Sequence, residues 1–327
     1  MQCTSPIIGY RGFDGKISSS ISKSWIDLRA SAPCGRCIGC RIRKKREWGL
    51  RSYHEASLHD ESGFFTLTYD DEHLPVGGSL VRDEVAKFVR SLRDRGHKIR
   101  YFAGAEYGDG ETLNGLKNNV PLGRPHYHVL LFGFWPDDAE KVRGGDEPLF
   151  TSEYLRSIWG KGKCDFGHVT PHSADYCAGY AAKKMYGKTA QNYYQKIDPD
   201  TGEVYPVVPE FSRQSRRPGL GERWITRYLY DVYPKDQVVI SGVPRTPPKY
   251  YDDICKKLDP ALFAKVKSAR RAREVQNWEL VQKSAPGNGS RLVRVHKTPD
   301  AYKGSHRQML ARSKIQQKTQ TERGNFQ

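Results

Sequence analysis

One segment constrains the fold of this chain more than any other, namely Arg124-Pro125-His126-Tyr127-His128-Val129-Leu130-Leu131-Phe132-Gly133. Its apolar second half predicts a strand that is held in a core. Side chains two positions apart in a strand point to the same face, so His126 and His128 present two imidazoles side by side and Tyr127 points the other way. This pair predicts a metal site. The alternative is two histidines on a solvated face of a sheet.

The other predicted elements place this strand third in a series of four. Aromatic and β-branched runs predict strands, and apolar residues spaced three or four apart predict helices. The predicted β-α-β-β-α-β order indicates an α+β fold with an antiparallel, ferredoxin-like (split βαβ) sheet and helices on one side. The elements are strand 64–69, helix 81–95, strand 99–105, loop 108–124, strand 126–134, helix 153–159, strand 166–169 and helix 173–185, with Ser173 as the last N-cap.

A third metal ligand is predicted on the strand before the two histidines. Glu106 ends that strand, and the two strands are expected to pair as a hairpin, which brings Glu106 near His126. Two imidazoles leave a divalent ion incompletely coordinated, and a carboxylate is the usual complement. The alternative is an ordinary carboxylate at the end of a strand.

A helix with two tyrosines is the second candidate for chemistry, in the run Tyr176-Cys177-Ala178-Gly179-Tyr180-Ala181-Ala182-Lys183-Lys184. Residues three or four apart share a helix face, so Tyr176, Tyr180 and Lys183 are expected on one side. A phenol with a pKa near 10 is a poor nucleophile, and a nearby cation favours the phenolate and stabilises charge on a phosphate. The alternative is a pair of core tyrosines.

Four cysteines near the N-terminus predict a second, separate metal site. Cys34, Cys37 and Cys40 form a C-x-x-C-x-x-C run, and Cys3 is the natural fourth ligand. Four thiolates suit tetrahedral Zn²⁺, although such spacing also serves iron–sulfur clusters, and free thiols are a further alternative. Disulfides are not expected, because the N-terminus lacks the basic and apolar regions of a secretion signal.

The charge of the chain favours a polyanionic partner. Lys plus Arg number 54 against 37 Asp plus Glu, which gives a net charge of +17. A membrane is not expected to be that partner, because no apolar run approaches the roughly 18 residues of a spanning helix. Residues 265–327 hold 15 basic and four acidic residues. This tail is predicted to be disordered or to order on binding, and a solvated solubility segment is the alternative.

A basic run that follows the cysteines is predicted to contact DNA phosphates. It contains Arg41, Arg43, Lys44 and Lys45 and opens a helix, and the alternative is a solvated helix face. The predicted domains are an N-terminal cysteine-rich element with this basic helix (1–60), a nuclease domain (61–190), an extension packed on it (191–260) and a basic helical or disordered tail (261–327).

The order of apolar strand, His-x-His strand and Tyr-x-x-Lys helix resembles the three motifs of HUH rolling-circle initiators. The likeness is specific to replication initiators of microviruses, in particular those of gokushovirus type. It includes the cysteine run, the Gly-Arg-Pro-His-Tyr-His string and the segment from Ser215 to Gly221, and it covers roughly residues 1–225.

The resemblance implies a nickase of single-stranded DNA that forms a 5′-phosphotyrosine bond at a viral origin and later closes a unit-length circle. It implies Mg²⁺ or Mn²⁺ at the Glu-His-His site and Zn²⁺ at the cysteines. Tyr180 is the expected first nucleophile with Lys183, and Tyr176 is the alternating partner, although Gly179 stands where its lysine would be. The remaining DNA contacts are expected from Arg124, Lys184, Arg216 and Arg217.

Host helicase and polymerase are expected partners, because the sequence shows no G-x-x-x-x-G-K-[ST] loop and no nucleotide cofactor is expected. The expected compartment is the cytoplasm of an infected bacterium. Two other functions remain open: a non-catalytic, zinc-containing protein that binds single-stranded DNA through aromatic platforms, and an HUH transposase or plasmid relaxase. Only the catalytic hypotheses predict a covalent DNA adduct that Tyr180→Phe abolishes.

Overall fold

The computed structural model describes residues 3–12, 17–18, 20, 24–108, 112–113, 116–117, 122–180, 190, 193–197 and 201–283. The chain divides into two compact units, one of Met1–Arg43 with Gln276–Gln327 and one of Lys44–Val275. The predictions for Lys183, for Lys184 and for the tail beyond residue 283 lie outside the described residues.

The first unit contains a small antiparallel sheet. Strands β1 (Ile7–Gly12), β2 (Ile17–Ser18) and β3 (Ser24–Ala32) are arranged in the order β2-β1-β3. The cysteine run follows this sheet, and helix α1 (Ile38–Ala56) begins within that run.

A seven-stranded sheet forms the centre of the second unit, and every pair of neighbouring strands in it is antiparallel. Its order is β14-β5-β8-β4-β11-β10-β9. The predicted α+β class and antiparallel sheet are therefore confirmed. The strands are β4 (Ser62–Tyr69), β5 (Arg100–Tyr107), β8 (Pro125–Phe132), β9 (Glu140–Arg143), β10 (Leu149–Thr151), β11 (Gly162–His168) and β14 (Phe211–Gln214).

Helices pack on both faces of this sheet, so the prediction of helices on one side was wrong. Helices α2 (Glu84–Asp94) and α3 (Glu153–Trp159) share a core with Tyr127, Val129 and Leu131 of β8. Helix α4 (Pro171–Tyr180) packs with Leu130 and Phe132, which point to the other face. The physical reason is that the end of β8 is apolar at consecutive positions, so both of its faces must be covered.

The N-terminus of α4 also differs from the prediction. Thr170, not Ser173, is the N-cap: its hydroxyl accepts from the Ser173 backbone N–H at 3.0 Å, and the Ser173 hydroxyl accepts from the Thr170 N–H at 2.8 Å. These reciprocal bonds form a capping box, with Pro171 at the first helical position, where its missing N–H costs nothing.

The remaining elements are short ladders and a helical region with its own core. The ladders pair β6 (Thr112–Leu113) with β7 (Leu116–Lys117), β12 (Gln195–Ile197) with β13 (Val204–Pro206), and β15 (Val238–Ile240) with β16 (Val243–Arg245). The helices are α5 (Glu222–Arg227), α6 (Leu229–Val232), α7 (Lys249–Leu258) and α8 (Pro260–Lys283), and a 3₁₀ turn spans Val76–Gly78. Among the described residues, none of the helices has the length and apolar character needed to span a bilayer.

Candidate metal centre and tyrosine helix

The strand register brings Glu106, His126 and His128 to one face of the sheet. Glu106 of β5 pairs with His126 of β8, and His128 lies two residues further on the same face. The Nε2 atoms of the two histidines lie 2.9 Å and 3.1 Å from the same Glu106 oxygen, Oε1. Glu106 and His128 are buried and His126 is half-buried, so the three ligand atoms converge in a largely water-free place.

The other ring nitrogen of each histidine is held by the strands themselves. His126 Nδ1 lies 3.1 Å from the carbonyl oxygen of Arg124, and His128 Nδ1 lies 3.1 Å from the hydroxyl of Thr66 on β4. A carbonyl only accepts, so the proton of a neutral His126 is on Nδ1 and the Nε2 lone pair points at Glu106. A lone pair facing a carboxylate is repelled unless a proton or a cation lies between them. The donor set and these outer hydrogen bonds are therefore compatible with metal binding.

Helix α4 places both tyrosines against this cluster. The ring of Tyr180 stacks on that of His128 with centroids 4.5 Å apart and planes 8° from parallel. Tyr176 meets His128 edge-on at 5.4 Å and Tyr180 edge-on at 5.0 Å. The two differ in access, because Tyr176 is 45% exposed and Tyr180 is 3% exposed.

Burial, followed by the negative charge of Glu106, raises the pKa of Tyr180 well above its usual range. Without a compensating cation, Tyr180 is therefore a neutral phenol. A positive charge at the Glu-His-His cluster opposes the effect of Glu106 on this phenol.

The close approach of α4 to the sheet depends on a glycine. A Cβ at Gly104 of β5 would lie 2.7 Å from the Cβ of Tyr180 and 3.1 Å from the carbonyl oxygen of Cys177. The thiol of Cys177 donates to the carbonyl oxygen of His128 at 3.3 Å, which ties the helix to the His-x-His strand. A side chain at position 104 would push Tyr180 away from His128.

The four cysteines of the first unit also converge. Cys3 Sγ lies 3.5 Å from Cys34 Sγ and 3.6 Å from Cys37 Sγ, and Cys40 belongs to the same group. Zinc–thiolate bonds of about 2.3 Å in a tetrahedron put sulfur atoms about 3.8 Å apart, so the group is compatible with a bound metal ion. Burial opposes ionisation of Cys37, but hydrogen bonds from Thr4 and from the Cys40 backbone outweigh it and lower its pKa to about 5.

The predicted DNA contacts fall in several places. Arg124 lies beside the His-x-His strand, where it forms an ion pair with Asp71 and donates to the carbonyl oxygen of Tyr69 at 3.1 Å. Within the basic run of α1, Arg43 and Lys44 are exposed, whereas Arg41 and Lys45 are half-buried.

Arg216 and Arg217 are exposed and lie away from the Glu-His-His cluster. They follow β14 and line a surface cavity of about 490 Å³ together with Arg93 and Arg213. The neighbouring Ser215 bonds to Tyr101, near the end of β5 opposite Glu106, with its N–H 2.9 Å from the Tyr101 carbonyl oxygen. The structure does not bring these arginines to the tyrosine helix.

Two residues beside His128 were not predicted from the sequence. Thr66 holds its Nδ1, and Phe64 stacks on the imidazole with centroids 5.5 Å apart. Thr66 and Thr68 are polar residues at alternate positions of an otherwise apolar strand, and they pair with His128 and His126. That alternation is the signal that would have identified them.

Comparison with known proteins gives related sequences. The profile of the family described as replication-associated protein ORF2 matches residues 62–185, which include β5, β8 and α4. Replication-associated protein VP4 of Bdellovibrio phage phiMH2K is 33% identical over 295 residues, which are 85% of this chain and 86% of that protein. Replication-associated protein ORF2 of Spiroplasma virus 4 is 34% identical over 248 residues, 71% of this chain and 69% of that protein. No solved structure matches.

The chain belongs to the family of phage replication-associated proteins. Within it, the chain is a replication initiator of microvirus type, and the resemblance noted in its sequence motifs is confirmed. Its role is therefore in the replication of a phage genome.

Proposed function

We propose that this chain is an HUH endonuclease that nicks and rejoins single-stranded DNA through a 5′-phosphotyrosine intermediate. By this reaction it starts and ends rolling-circle replication of a small single-stranded DNA phage genome. The observation that carries the proposal is the stack of Tyr180 on His128, because it places a nucleophilic side chain against a carboxylate and two imidazoles.

The topology supports the same proposal. In chain order β4, β5, β8 and β11 are the first to fourth strands of the predicted series, and they lie in the order fourth, first, third, second. This is the strand order of a ferredoxin-like sheet, in which parallel first and second strands flank an antiparallel third strand. The third strand carries both histidines at the centre of the sheet.

Glu106, His126 and His128 fit a divalent cation, since their ligand atoms already converge and both Nδ1 atoms are held. Mg²⁺ or Mn²⁺ bound there supplies positive charge that polarises the scissile phosphate. Mg²⁺ prefers an all-oxygen shell and loses water reluctantly. We therefore expect Mn²⁺ to support the reaction at lower concentration than Mg²⁺.

In the nicking step, the Tyr180 phenolic oxygen forms a bond to phosphorus and the bond from phosphorus to the 3′-oxygen breaks. The phenol loses one proton and the leaving 3′-oxygen gains one, so the DNA ends as a free 3′-hydroxyl and a 5′-phosphotyrosine. One phosphoester replaces another, which keeps the bond energy for the joining step. We propose that Lys183 stabilises charge in this step and that Tyr176 makes the alternate attack.

We propose that Cys3, Cys34, Cys37 and Cys40 hold a structural Zn²⁺. Elemental analysis of the purified chain is expected to find about one zinc per molecule, and Cys37→Ser is expected to remove it. A folded chain without metal would contradict this assignment, and iron with an absorbance band in the visible range would replace zinc by an iron–sulfur cluster.

The proposed partners are single-stranded DNA at a replication origin and the helicase and polymerase of an infected bacterium, in whose cytoplasm the chain would act. Contacts to DNA phosphates are proposed for the basic run of α1, for Arg124 and Lys184, and for the Arg216–Arg217 turn. Each contact releases counterions, so DNA binding is expected to weaken steeply as salt rises.

The test is a covalent adduct assay. Labelled single-stranded oligonucleotides that tile the phage genome encoding this chain are incubated with the protein and Mn²⁺, then separated under denaturing conditions. We expect one region to give a band that survives the denaturant. Tyr180→Phe combined with Tyr176→Phe removes the band but keeps DNA binding. The absence of an adduct with any tile and either metal would overturn the proposed function and leave a binding protein.

A further inference from the structure

The two tyrosines of α4 are not equivalent in sequence. Lys183 stands three residues after Tyr180, whereas Gly179 stands three residues after Tyr176. On a helix, residues three apart are neighbours, so a lysine at position 179 would put its ammonium group beside Tyr176.

A lysine from another helix lies in that place. The Cε, Cδ and Nζ atoms of Lys45 on α1 lie 3.6 Å, 3.7 Å and 3.8 Å from the point where a Cβ of residue 179 would be. Its stem therefore runs over the bare backbone of Gly179, as lysine stems commonly cover small residues. Within the basic run, Lys45 is half-buried while Arg43, Lys44 and Arg46 are exposed, which agrees with a fixed position.

A second close contact fixes this arrangement. A Cβ at Gly49 of α1 would lie 2.0 Å from the Oδ1 atom of Asp175 on α4, so that carboxylate lies directly on the helix backbone. Residues 45 and 49 are one turn apart on α1, and residues 179 and 175 are one turn apart on α4. The two glycines thus make a matched pair of close contacts between antiparallel helices.

The charges around Asp175 hold Lys45 further. Burial raises the pKa of Asp175, and the positive charges of Lys45, Arg245 and Arg46, together with His172, act in the opposite direction. Arg245 is the nearest ion-pair partner, with its Nη1 atom 3.9 Å from Oδ2. Lys45 is therefore drawn towards α4 by a half-buried carboxylate on the helix that carries Tyr176.

We propose that Lys45 does for Tyr176 what Lys183 does for Tyr180, and so completes a second tyrosine–lysine pair from a different helix. This inference rests on the proposed nicking and joining activity. It assigns Lys45 to the step in which Tyr176 attacks, beyond general contact with DNA.

In that step the Tyr176 oxygen bonds to phosphorus, the bond from phosphorus to the 3′-oxygen breaks, and the phenolic proton is balanced by the one that the 3′-oxygen gains. Lys45 stays protonated throughout. Its charge favours the phenolate over the phenol and stabilises the charge that develops on the phosphate oxygens.

The test separates the two tyrosines. Adduct formation with the reactive oligonucleotide and Mn²⁺ is timed for Tyr180→Phe, in which only Tyr176 reacts, and for Tyr176→Phe, in which only Tyr180 reacts. Adding Lys45→Ala is expected to slow the first protein about tenfold more than the second. Lys141→Ala, which removes one exposed charge from the edge strand β9, is the control for net charge and is expected to affect both equally.

Two further readouts exclude a merely structural effect. In the Tyr180→Phe background, Lys45→Ala is expected to move the rise of the rate to higher pH, and adding Gly179→Lys is expected to restore much of the rate from the other helix. Equal slowing in both backgrounds, no adduct on Tyr176, or no rescue by Gly179→Lys would overturn the role of Lys45. An adduct missing from the unaltered protein would overturn the proposed function itself.

Discussion

Two buried histidines of this chain have similar surroundings and different consequences. The ring of His128 stacks on Tyr180, with centroids 4.5 Å apart, and that of His54 stacks on Trp224, with centroids 3.5 Å apart. Each has a hydroxyl beside Nδ1, at 3.1 Å for His128 and, from Tyr251, at 2.9 Å for His54. Burial and aromatic stacking therefore do not distinguish a functional histidine from one that fills a core.

The difference lies at the other nitrogen. Nε2 of His128 faces the carboxylate of Glu106 together with a second imidazole, so three donors share one point. His54 lies where burial alone lowers its pKa, to about 3. A convergent set of ligand atoms makes a site, whereas a single desolvated imidazole makes a cost in stability at low pH.

Removing each imidazole is expected to separate the two regions most strongly. His128→Ala removes a metal ligand and is expected to slow adduct formation about 100-fold or more while the chain stays folded. His54→Ala leaves a cavity and is expected to lower the free energy of unfolding by about 2 kcal/mol or more, with activity kept at low temperature. Adduct timing and thermal unfolding of both variants measure this contrast. A loss of activity of equal size in the two would erase it.

The hydroxyl partners give a smaller contrast of the same kind. Thr66→Val frees Nδ1 of His128 and is expected to weaken Mn²⁺ binding about 10- to 100-fold. Tyr251→Phe frees Nδ1 of His54 and is expected to cost about 1 kcal/mol of stability without changing Mn²⁺ binding. Electron paramagnetic resonance of free Mn²⁺ during a titration reports the first effect. Unchanged Mn²⁺ binding in Thr66→Val would place the metal elsewhere.

The pH dependence of stability is expected to report His54. Below about pH 6.5 an unfolded chain protonates this histidine, whereas the folded chain keeps it neutral down to about pH 3, so stability falls as pH falls. Between pH 8 and pH 5 this contribution is about 2 kcal/mol. Urea unfolding at both pH values is expected to show that His54→Gln loses less stability on acidification than the unaltered chain does. Equal losses would show that His54 is protonated in the fold.

Local patterns predicted much of the sheet and the convergence of the candidate ligands. The two-residue period of a strand placed His126 and His128 on one face, and the hairpin pairing placed Glu106 beside them. The four-residue spacing of Tyr176 and Tyr180 placed both on the side of α4 that meets the sheet. These features need only the geometry of one element or of two adjacent strands.

The features that were missed depend on contacts between distant parts of the chain. Strand β14 joins the sheet beside β5 more than 100 residues later, and Lys45 reaches α4 from α1 across about 130 residues. No spacing within either segment encodes such pairings. The helices on both faces follow from the apolar run of β8, whose meaning depends on what remains to cover it.

The central claim is that the cluster around His128 is where DNA becomes linked to the chain. The most direct measurement is mass spectrometry of the adduct formed with Mn²⁺, after nuclease trimming and proteolysis, to locate the modified residue. We predict a nucleotide on Tyr180, and on Tyr176 when Tyr180 is changed to Phe. A nucleotide on any residue outside α4, in an adduct that persists when both tyrosines are Phe, would contradict this claim.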